Sequence, residues 1–346
     1  MENIKHIDVL IIGAGPAGSV CGYLLKKSGI DCLLIDHASF PRDKICGGGL
    51  TPKAWRLLDE IYPNLEYAYN PISRIRTFID DKFRCEFSFN SPERYIRIVK
   101  RRDFDHLLLQ RYEGEGGAFM KGSFARFEET GGDYPIVVTL RSGELIACKY
   151  LVGADGATSQ VRRQIAPNSA HGMLSFEQYQ TRQEMAGNTI TIAMSRQYVH
   201  GYFYHFPNLK ENVVGFGDLV ATKQKTADVC ATIGYPLESD IRLQGAYIPR
   251  SSVVSPSRRV MLVGDAGGFP NRVSYEGLYY AFATGRNAAE AIISGRDFRK
   301  VNKVMYRKKR KEDFLDRVFY SNGGLAVLKL LMHFPRLVQY LFNFFV

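Results

Sequence analysis

Four short runs of consecutive apolar residues stand out along the chain, and each stops at a glycine or an acid. Residues 9–12 (VLII) lead into Gly13, 150–152 (YLV) into Gly153 and 260–263 (VMLV) into Gly264, while 32–35 (CLLI) end on Asp36. An unbroken apolar run of this length predicts a strand buried on both faces, as in a parallel sheet. Residues 16–27, between the first two runs, read as a helix. The middle of the chain has a different rhythm. "NTITIAMS", "YVHGYFYHF" and "NVVGFGDLV" alternate apolar and polar positions, which predicts antiparallel strands; 76–94 alternates as well and is expected to join them. The pattern therefore predicts a discontinuous strand-and-helix unit over 1–75, 95–165 and 245–300, a β-sheet unit over 76–94 and 166–244, and a helical tail over 301–346.

The turn after the first strand carries chemistry. It reads Gly13-Ala-Gly15-Pro-Ala-Gly18, followed by the helix, the second strand and Asp36. Gly13 permits the tight turn, Gly15 lets backbone approach a pyrophosphate, and Gly18 lets the helix pack on the strand. The helix N-terminus offers free N–H groups to phosphates. Asp36 can accept hydrogen bonds from ribose hydroxyls. The competing reading is a glycine-rich turn in another α/β fold, and the fingerprint by itself does not choose between NAD and FAD.

Three further segments choose. "YLVGADGATSQVRR" (150–163) places Asp155-Gly156 after a strand. "VMLVGDAGGFPNRVSYEGLYYAFATG" (260–285) places Gly264-Asp265 after another and enters a helix at Gly277-Leu278. "RIVKRRDFDHLLLQ" (97–110) has the form R-x-x-F-D-x-x-L. Together these resemble the FAD-binding fold of the para-hydroxybenzoate hydroxylase type, shared by flavoprotein aromatic hydroxylases and geranylgeranyl reductases. The resemblance implies an α/β protein: a Rossmann-like FAD-binding domain, an inserted and mainly antiparallel β-sheet substrate domain, and a C-terminal helical segment. It implies FAD as cofactor, held by Gly13, Gly15, Ala17, Gly18, Asp36, Arg101, Ala125, Asp155, Asp265, Gly277 and Leu278. Asp265 matches the aspartate facing the ribityl chain. Gly277 and Leu278 match the helix start beneath the pyrimidine edge of the flavin. Asp155 either shapes its turn or serves the cofactor indirectly, and Asp105 is expected to hold local structure.

"DKICGGGLTP" (43–52) sharpens the resemblance. Geranylgeranyl reductases carry C-G-x-G-L here, matched by Cys46, Gly47 and Gly49. The resemblance places Cys46 beside the flavin, as a tuning group, a cavity wall or a proton source; the alternative is a small residue that merely fits. "GYFYHFPN" (201–208) resembles the Y-x-W-x-F-P stretch of archaeal geranylgeranyl reductases at Tyr202, Phe206 and Pro207, and departs from it at Tyr204. "SYEGLYYA" and the C-G-G run resemble the CbrA-like branch of that family. The activity implied is hydride transfer from FADH2 to a C=C bond of an isoprenoid or other lipid-like substrate, with Cys46, Tyr202 and Tyr204 as candidate acids. The alternative is an FAD-dependent monooxygenase using NAD(P)H and O2. A halogenase fits less well, because the single Trp, Trp55, lies outside any W-x-W-x-I-P stretch. A non-catalytic flavoprotein that binds lipid or senses redox state is a third class.

Composition adds partners. Only one dinucleotide fingerprint is present, so electrons come either from transiently bound NAD(P)H or from an external donor such as a ferredoxin. The net charge is +11, and residues 296–311 hold nine Lys or Arg against one acid, Asp297. Residues 299–320 predict a strongly basic helix. Residues 323–346 are rich in Leu and Phe, interrupted by Lys329, His333 and Arg336 and broken at Pro335. Such a tail suits peripheral contact with a membrane; the alternative is packing that closes an apolar cavity. No nucleic-acid motif accompanies the basic run. The six cysteines are scattered without metal-site spacing, and the sequence runs directly into its first strand without a leader, so a protein of the cytoplasm, free or membrane-associated, with free thiols and no metal is expected.

Overall fold

The structure, a computed structural model, describes residues 4–169, 172–181, 187–334 and 336–337. Of the sequence-predicted tail, Pro335 and residues 338–346 lie outside the described residues.

The four apolar runs build one sheet. Lys5–Ile12 pairs in parallel with Cys32–Asp36 on one side and Leu145–Gly153 on the other. Ala118–Lys121 and Val260–Leu262 add further parallel strands, and Ile136–Leu140 with Phe124–Glu129 continue the sheet antiparallel. The side-chain period of two explains why the runs tolerate no polar residue. Val9 and Ile11 enter one core with Cys21, Leu109 and Phe282, from the helices Pro16–Lys27, Arg101–Gly114 and Leu278–Ile293. Leu10 and Ile12 enter a second core with Phe127, Val138 and Leu140.

The turn from Gly13 into the first helix is geometrically demanding. Gly13 has φ +108°, and a Cβ there would fall on the Ala154 main chain. A Cβ on Gly18 would fall on the Gly13 carbonyl oxygen. The helix can lie this close to its own strand only because both positions lack a side chain.

The alternating segments form a second seven-stranded sheet. Its order is Gln244–Ile248, Met173–Gln180, Asn212–Asp218, Tyr202–Pro207, Thr189–Met194, Arg74–Ile79 and Lys82–Ser88. All neighbours are antiparallel except Thr189–Met194 with Arg74–Ile79. One expectation needs correcting: residues 245–248, assigned from sequence to the cofactor unit, are the edge of this second sheet, paired with Met173–Gln180. Their alternating partial burial suits an edge, and Gly245 leaves room for the Phe176 ring. A three-stranded piece, Gly49–Leu50 and Asn70–Ile72 around Ile96–Ile98, lies where the chain passes between the two sheets.

The basic helix, Lys303–Phe319, docks through its acids. Lys309 is fully buried, donates to the Pro270 carbonyl at 3.0 Å and pairs with Glu312. Burial pulls its ammonium below the usual lysine range, with Glu312 working against that. Asp313 takes Arg272 Nε at 2.8 Å, and Asp316 takes His200 Nε2 at 2.6 Å and Arg250. Lys309–Glu312 and Asp316 with its partners are buried, and breaking them leaves an uncompensated charge, so they fix the helix's position. The next helix, Asn322–Leu331, turns Leu325 inward, and Leu328 and Met332 join the core beside Ile75 and Phe87.

Gly18→Ala is expected to lower unfolding stability by about 1–3 kcal/mol through overpacking. Gly114→Ala, where a Cβ meets nothing within 4 Å, is expected to be neutral or stabilising. Urea denaturation of the two variants checks the contrast.

Candidate active site

The fingerprint turn is held from behind by Asp36. Its Oδ2 accepts the Ala14 N–H at 2.8 Å and its Oδ1 the Ala38 N–H at 2.9 Å, and the His37 ring lies at 3.1 Å. The acid that the sequence pairs with ribose thus also clamps the turn to the end of its strand. Gly15 is the N-cap residue of Pro16–Lys27. The nearest atom to a Cβ built there is Arg42 Nη2, at 3.5 Å. An unpaired helix N-terminus with a guanidinium beside it is suited to an anion. Arg42 also lies 3.5 Å from Asp105, and Asp105 holds Arg101 by two hydrogen bonds of 2.8 Å. Burial works against the Arg101 charge, but Asp105 and then the Cys46 side chain more than offset it, so the guanidinium is held above its ordinary range. Arg101 therefore links the fingerprint end to the Cys46 loop.

The other two strand ends meet through Arg162. Asp155 accepts from Ser159 Oγ at 2.5 Å, Gln160 N at 2.7 Å and Val161 N at 3.3 Å, capping the helix Gln160–Ile165. Burial pushes its carboxyl up, and these donors work against that. Arg162 donates to the Asp265 carbonyl at 3.0 Å and the Ala266 carbonyl at 3.4 Å. Gly264 packs on Ala17, whose Cβ would lie 3.0 Å from one on the glycine. Asp265 Oδ1 lies 3.5 Å from where a Cβ of Gly277 would sit, so the carboxylate stands at the start of Leu278–Ile293. Leu278 itself is buried.

The Cys46 loop lies between this helix start and the second sheet. Glu276 clamps one side: its carboxylate accepts from the Thr51 hydroxyl and pairs with Lys53 Nζ at 2.7 Å. The sheet supplies the other side. The Phe206 ring fills the space that a Gly47 side chain would need. Tyr204 stacks on Phe206 at 5.2 Å, and the Tyr202 hydroxyl donates to the Ser274 carbonyl at 2.6 Å. Cys46 is half-buried; its N–H donates to the Tyr179 hydroxyl at 3.2 Å, and its Sγ accepts from Gly48 N at 3.4 Å. Gly48 has φ +76° and touches Val99, while Gly49 is looser: a Cβ there would lie 3.7 Å from the Ile98 side chain.

At the centre is a carboxyl that sequence reasoning missed. Glu177 is 1% exposed; it accepts from Tyr179 at 2.6 Å and from Tyr204 at 2.7 Å. Burial raises its pKa, with both phenols, the Cys46 N–H and Lys44 working the other way. Burial also raises Tyr202 and Tyr204 far above the ordinary phenol value, so both stay protonated. The signal lay in "SFEQYQ": the period of two sets Ser175, Glu177 and Tyr179 on one face of the strand. Glu276, Thr51, Lys53 and Arg162 were also absent from the sequence-derived set. Of that set, Cys46, Gly47, Arg101, Tyr202 and Tyr204 converge on the loop, Gly13 to Gly18 and Asp36 on the fingerprint, and Asp265, Gly277 and Leu278 on the helix start. Ala125 stands apart, exposed near the start of Phe124–Glu129 and three residues past Gly122, whose N–H bonds the Asp36 carbonyl.

The open flank of Gly15, the helix start beside Asp265 and the donor-lined loop fit FAD. Comparison with known proteins agrees. Residues 6–205 match the family profile described as FAD binding domain, and the chain belongs to that family. It is an FAD-dependent oxidoreductase. Similar proteins include a geranylgeranyl diphosphate reductase of Rhodobacter capsulatus, 29% identical over 83% of this chain and 75% of that one. A menaquinone reductase of Mycobacterium tuberculosis is 28% identical over 95% and 85%. Among solved structures, a geranylgeranyl bacteriochlorophyll reductase-like protein from Thermoplasma acidophilum superimposes with TM-score 0.80 at 19% identity, covering 96% of this chain and 91% of that one. The probable monooxygenase PqsL of Pseudomonas aeruginosa gives 0.70 at 17%, covering 92% and 97%. These structural likenesses establish a shared fold.

Glu276→Ala releases the Cys46–Lys53 segment from the helix start. Losing charge-assisted hydrogen bonds of about 1.5–3 kcal/mol is expected to weaken FAD binding roughly tenfold or more, read by flavin fluorescence titration, while the circular dichroism spectrum stays unchanged.

Proposed function

We propose that this flavoenzyme saturates C=C bonds of an isoprenoid or a prenylated quinone-like lipid. The observation that carries the reading is the convergence of proton donors (Cys46, Tyr202 and Tyr204, with Glu177 behind them) on the glycine loop between the cofactor unit and the second sheet. Reduction of an isolated alkene needs a hydride and a proton on adjacent carbons, so a cluster of protonated groups suits it. The names of the relatives point the same way. When bound, FAD supplies the hydride. Gly13, Gly15, Gly18 and Asp36 would hold its adenosine and pyrophosphate end, and Asp265, Gly277 and Leu278 would face its ring end. Arg101, kept charged by Asp105, favours negative charge near Cys46. Tyr204 and Phe206 form an aromatic wall that orients an apolar chain, and a fixed pose supplies several kcal/mol of the barrier reduction. Electrons arrive from NAD(P)H or from an external carrier.

The monooxygenase reading shares the fold. Photoreduced enzyme, kept anaerobic, is expected to regain flavin absorbance at 450 nm on addition of geranylgeranyl diphosphate or menaquinone. Absence of reoxidation by either, together with substrate-dependent O2 consumption in the presence of NAD(P)H, favours the monooxygenase.

We also propose that the tail seats the enzyme on an anionic membrane surface. Among the described residues no helix is long and apolar enough to cross a membrane. The outer side of Lys303–Phe319 exposes Val304, Phe314, Leu315 and Val318, and beyond it Val327, Leu330 and Phe334 are exposed. An open recess of about 640 Å³ joins Arg307, Arg310 and Lys311 to Phe314 and Leu315. The helix's acids are turned to Lys309, Arg272, Arg250 and His200, which leaves this outer face basic. Apolar side chains flanked by unneutralised cations match the boundary between acyl chains and anionic headgroups. The protein is expected to co-sediment with phosphatidylglycerol vesicles and not with phosphatidylcholine vesicles. Replacing Arg307, Arg310 and Lys311 by Ser is expected to weaken that binding by about 1 kcal/mol per removed charge.

A further inference from the structure

We infer that Glu177 governs the protons of the cluster: held as a neutral acid, it keeps Tyr204 supplied with a proton and ties the Cys46 loop to the sheet through Tyr179. This rests on the reductase reading and names a positioning residue for it, since Glu177 acts through other groups.

The hydrogens of the cluster can be counted. The Tyr179 hydroxyl lies 2.6 Å from Glu177 Oε1 and 3.1 Å from the Lys44 carbonyl, and it receives the Cys46 N–H at 3.2 Å. The Tyr204 hydroxyl lies 2.7 Å from Glu177 Oε2 and 3.0 Å from Ser175 Oγ. Each phenol has one hydrogen and two acceptor positions. If Glu177 is ionised, both hydrogens point at it, and the Lys44 carbonyl loses the Tyr179 hydrogen. If Glu177 is protonated at Oε1, it donates to Tyr179, Tyr179 donates to Lys44, and Tyr204 still donates to Oε2. The neutral acid therefore makes one more hydrogen bond. Protonated at Oε2 instead, it donates to Tyr204, whose own hydrogen is then free for Ser175 or for a substrate carbon.

The surroundings agree. Glu177 is 1% exposed, and isolated buried carboxylates are strongly disfavoured. The Cys46 N–H and the Lys44 charge favour ionisation, and the Arg101–Asp105 pair stands by the Cys46 side chain. Across the sheet, Glu177 faces Gly215 and Gln244, which carry no charge. In turnover, the Tyr204 O–H bond breaks as its proton goes to the substrate carbon that does not receive hydride. The Glu177 O–H bond breaks as its proton goes to Tyr204, and water reprotonates Glu177 before the next cycle. The electron pair comes from the reductase's own donor.

Two measurements test this. The first needs no catalysis. A carboxyl whose folded pKa is raised above its unfolded value contributes stability at low pH that is lost as pH rises through the folded pKa. The melting temperature of Glu177→Gln minus that of the protein itself is therefore expected to grow from pH 5 to pH 9; a pH-independent difference overturns the inference. The second is the anaerobic single-turnover rate with geranylgeranyl diphosphate. Glu177→Gln is expected to slow it about tenfold or more and to flatten its decline with rising pH, while Glu177→Asp retains that decline. An unchanged rate and profile in Glu177→Gln overturns the inference. If that variant does not fold, Glu177→Asp carries both readouts, with its pH profile displaced from that of the protein itself; superimposable profiles overturn the inference. If the unaltered protein shows no turnover, the reductase reading falls and the melting series alone decides Glu177.

Discussion

Two helices meet backbone to backbone, and the placement of the site follows from that contact. A Cβ on Gly285 would strike the Ala17 carbonyl, and Gly264 packs on the Ala17 side chain. Helices this close cannot slide without a clash, because protein interiors are close-packed. The fingerprint turn before the first helix and the Asp265–Gly277 turn before the second are therefore held side by side, although some 250 residues separate them in sequence. Arg162 then adds the Asp155 turn. Glu276, next to the second helix, fixes the Cys46 loop through Thr51 and Lys53. One steric constraint between main chains thus sets where the polar groups of four distant segments can be.

What was legible in the sequence follows the same division. Positions with a local covalent requirement could be read directly. Gly13 and Gly18 admit no other residue where the strand, turn and helix fold back on themselves, and the apolar runs had to be buried on both faces. Asp36 was found by its distance from the turn, but its bond to Ala14 N was not legible, since the same acid fits either ribose or backbone. Glu177 illustrates what was missed. One acid in an alternating strand looks like a solvent-facing position. It is buried because Tyr204 reaches it from the next strand but one, across Gly215, and because the loop at Cys46 closes over it by way of Tyr179, 133 residues away. No local pattern encodes such closure. The boundary at 245 failed for a related reason: a five-residue edge strand has too little periodicity to show which sheet it joins.

Gly47 shows how a glycine expected to meet one demand can meet another. From sequence, three glycines suggested a flat surface for a ring system. In the structure, Phe206 occupies the space beside Gly47, so the glycine also lets an aromatic residue of the second sheet reach the loop. A Cβ at Gly47 would point only into the Phe206 ring, so the missing side chain there answers to the sheet. The tail resolves in a similar way. Its apolar residues were expected either to pack inward or to face a membrane. Leu325, Leu328 and Met332 do the first, while Val327, Leu330 and Phe334 are left exposed. A helix is wide enough to have both faces.

The buried carboxyl and the buried guanidinium make chemical sense together. Arg101 keeps its charge because Asp105 satisfies it bidentately within one helix turn, whereas the direct partners of Glu177, two phenols and a main-chain N–H, are all uncharged. Desolvation acts on both, yet the outcomes are opposite: a fixed cation on one side of Cys46 and a carboxyl pushed toward its neutral form on the other. A cation favours electron-rich chemistry nearby, and a neutral acid can give up a proton without first drawing one from water. A reaction that adds a hydride and then a proton to an apolar chain calls for that pairing in a place from which water is kept out. Tyr204, stacked on Phe206, is itself buried, and its hydroxyl would be the last in the proton's path.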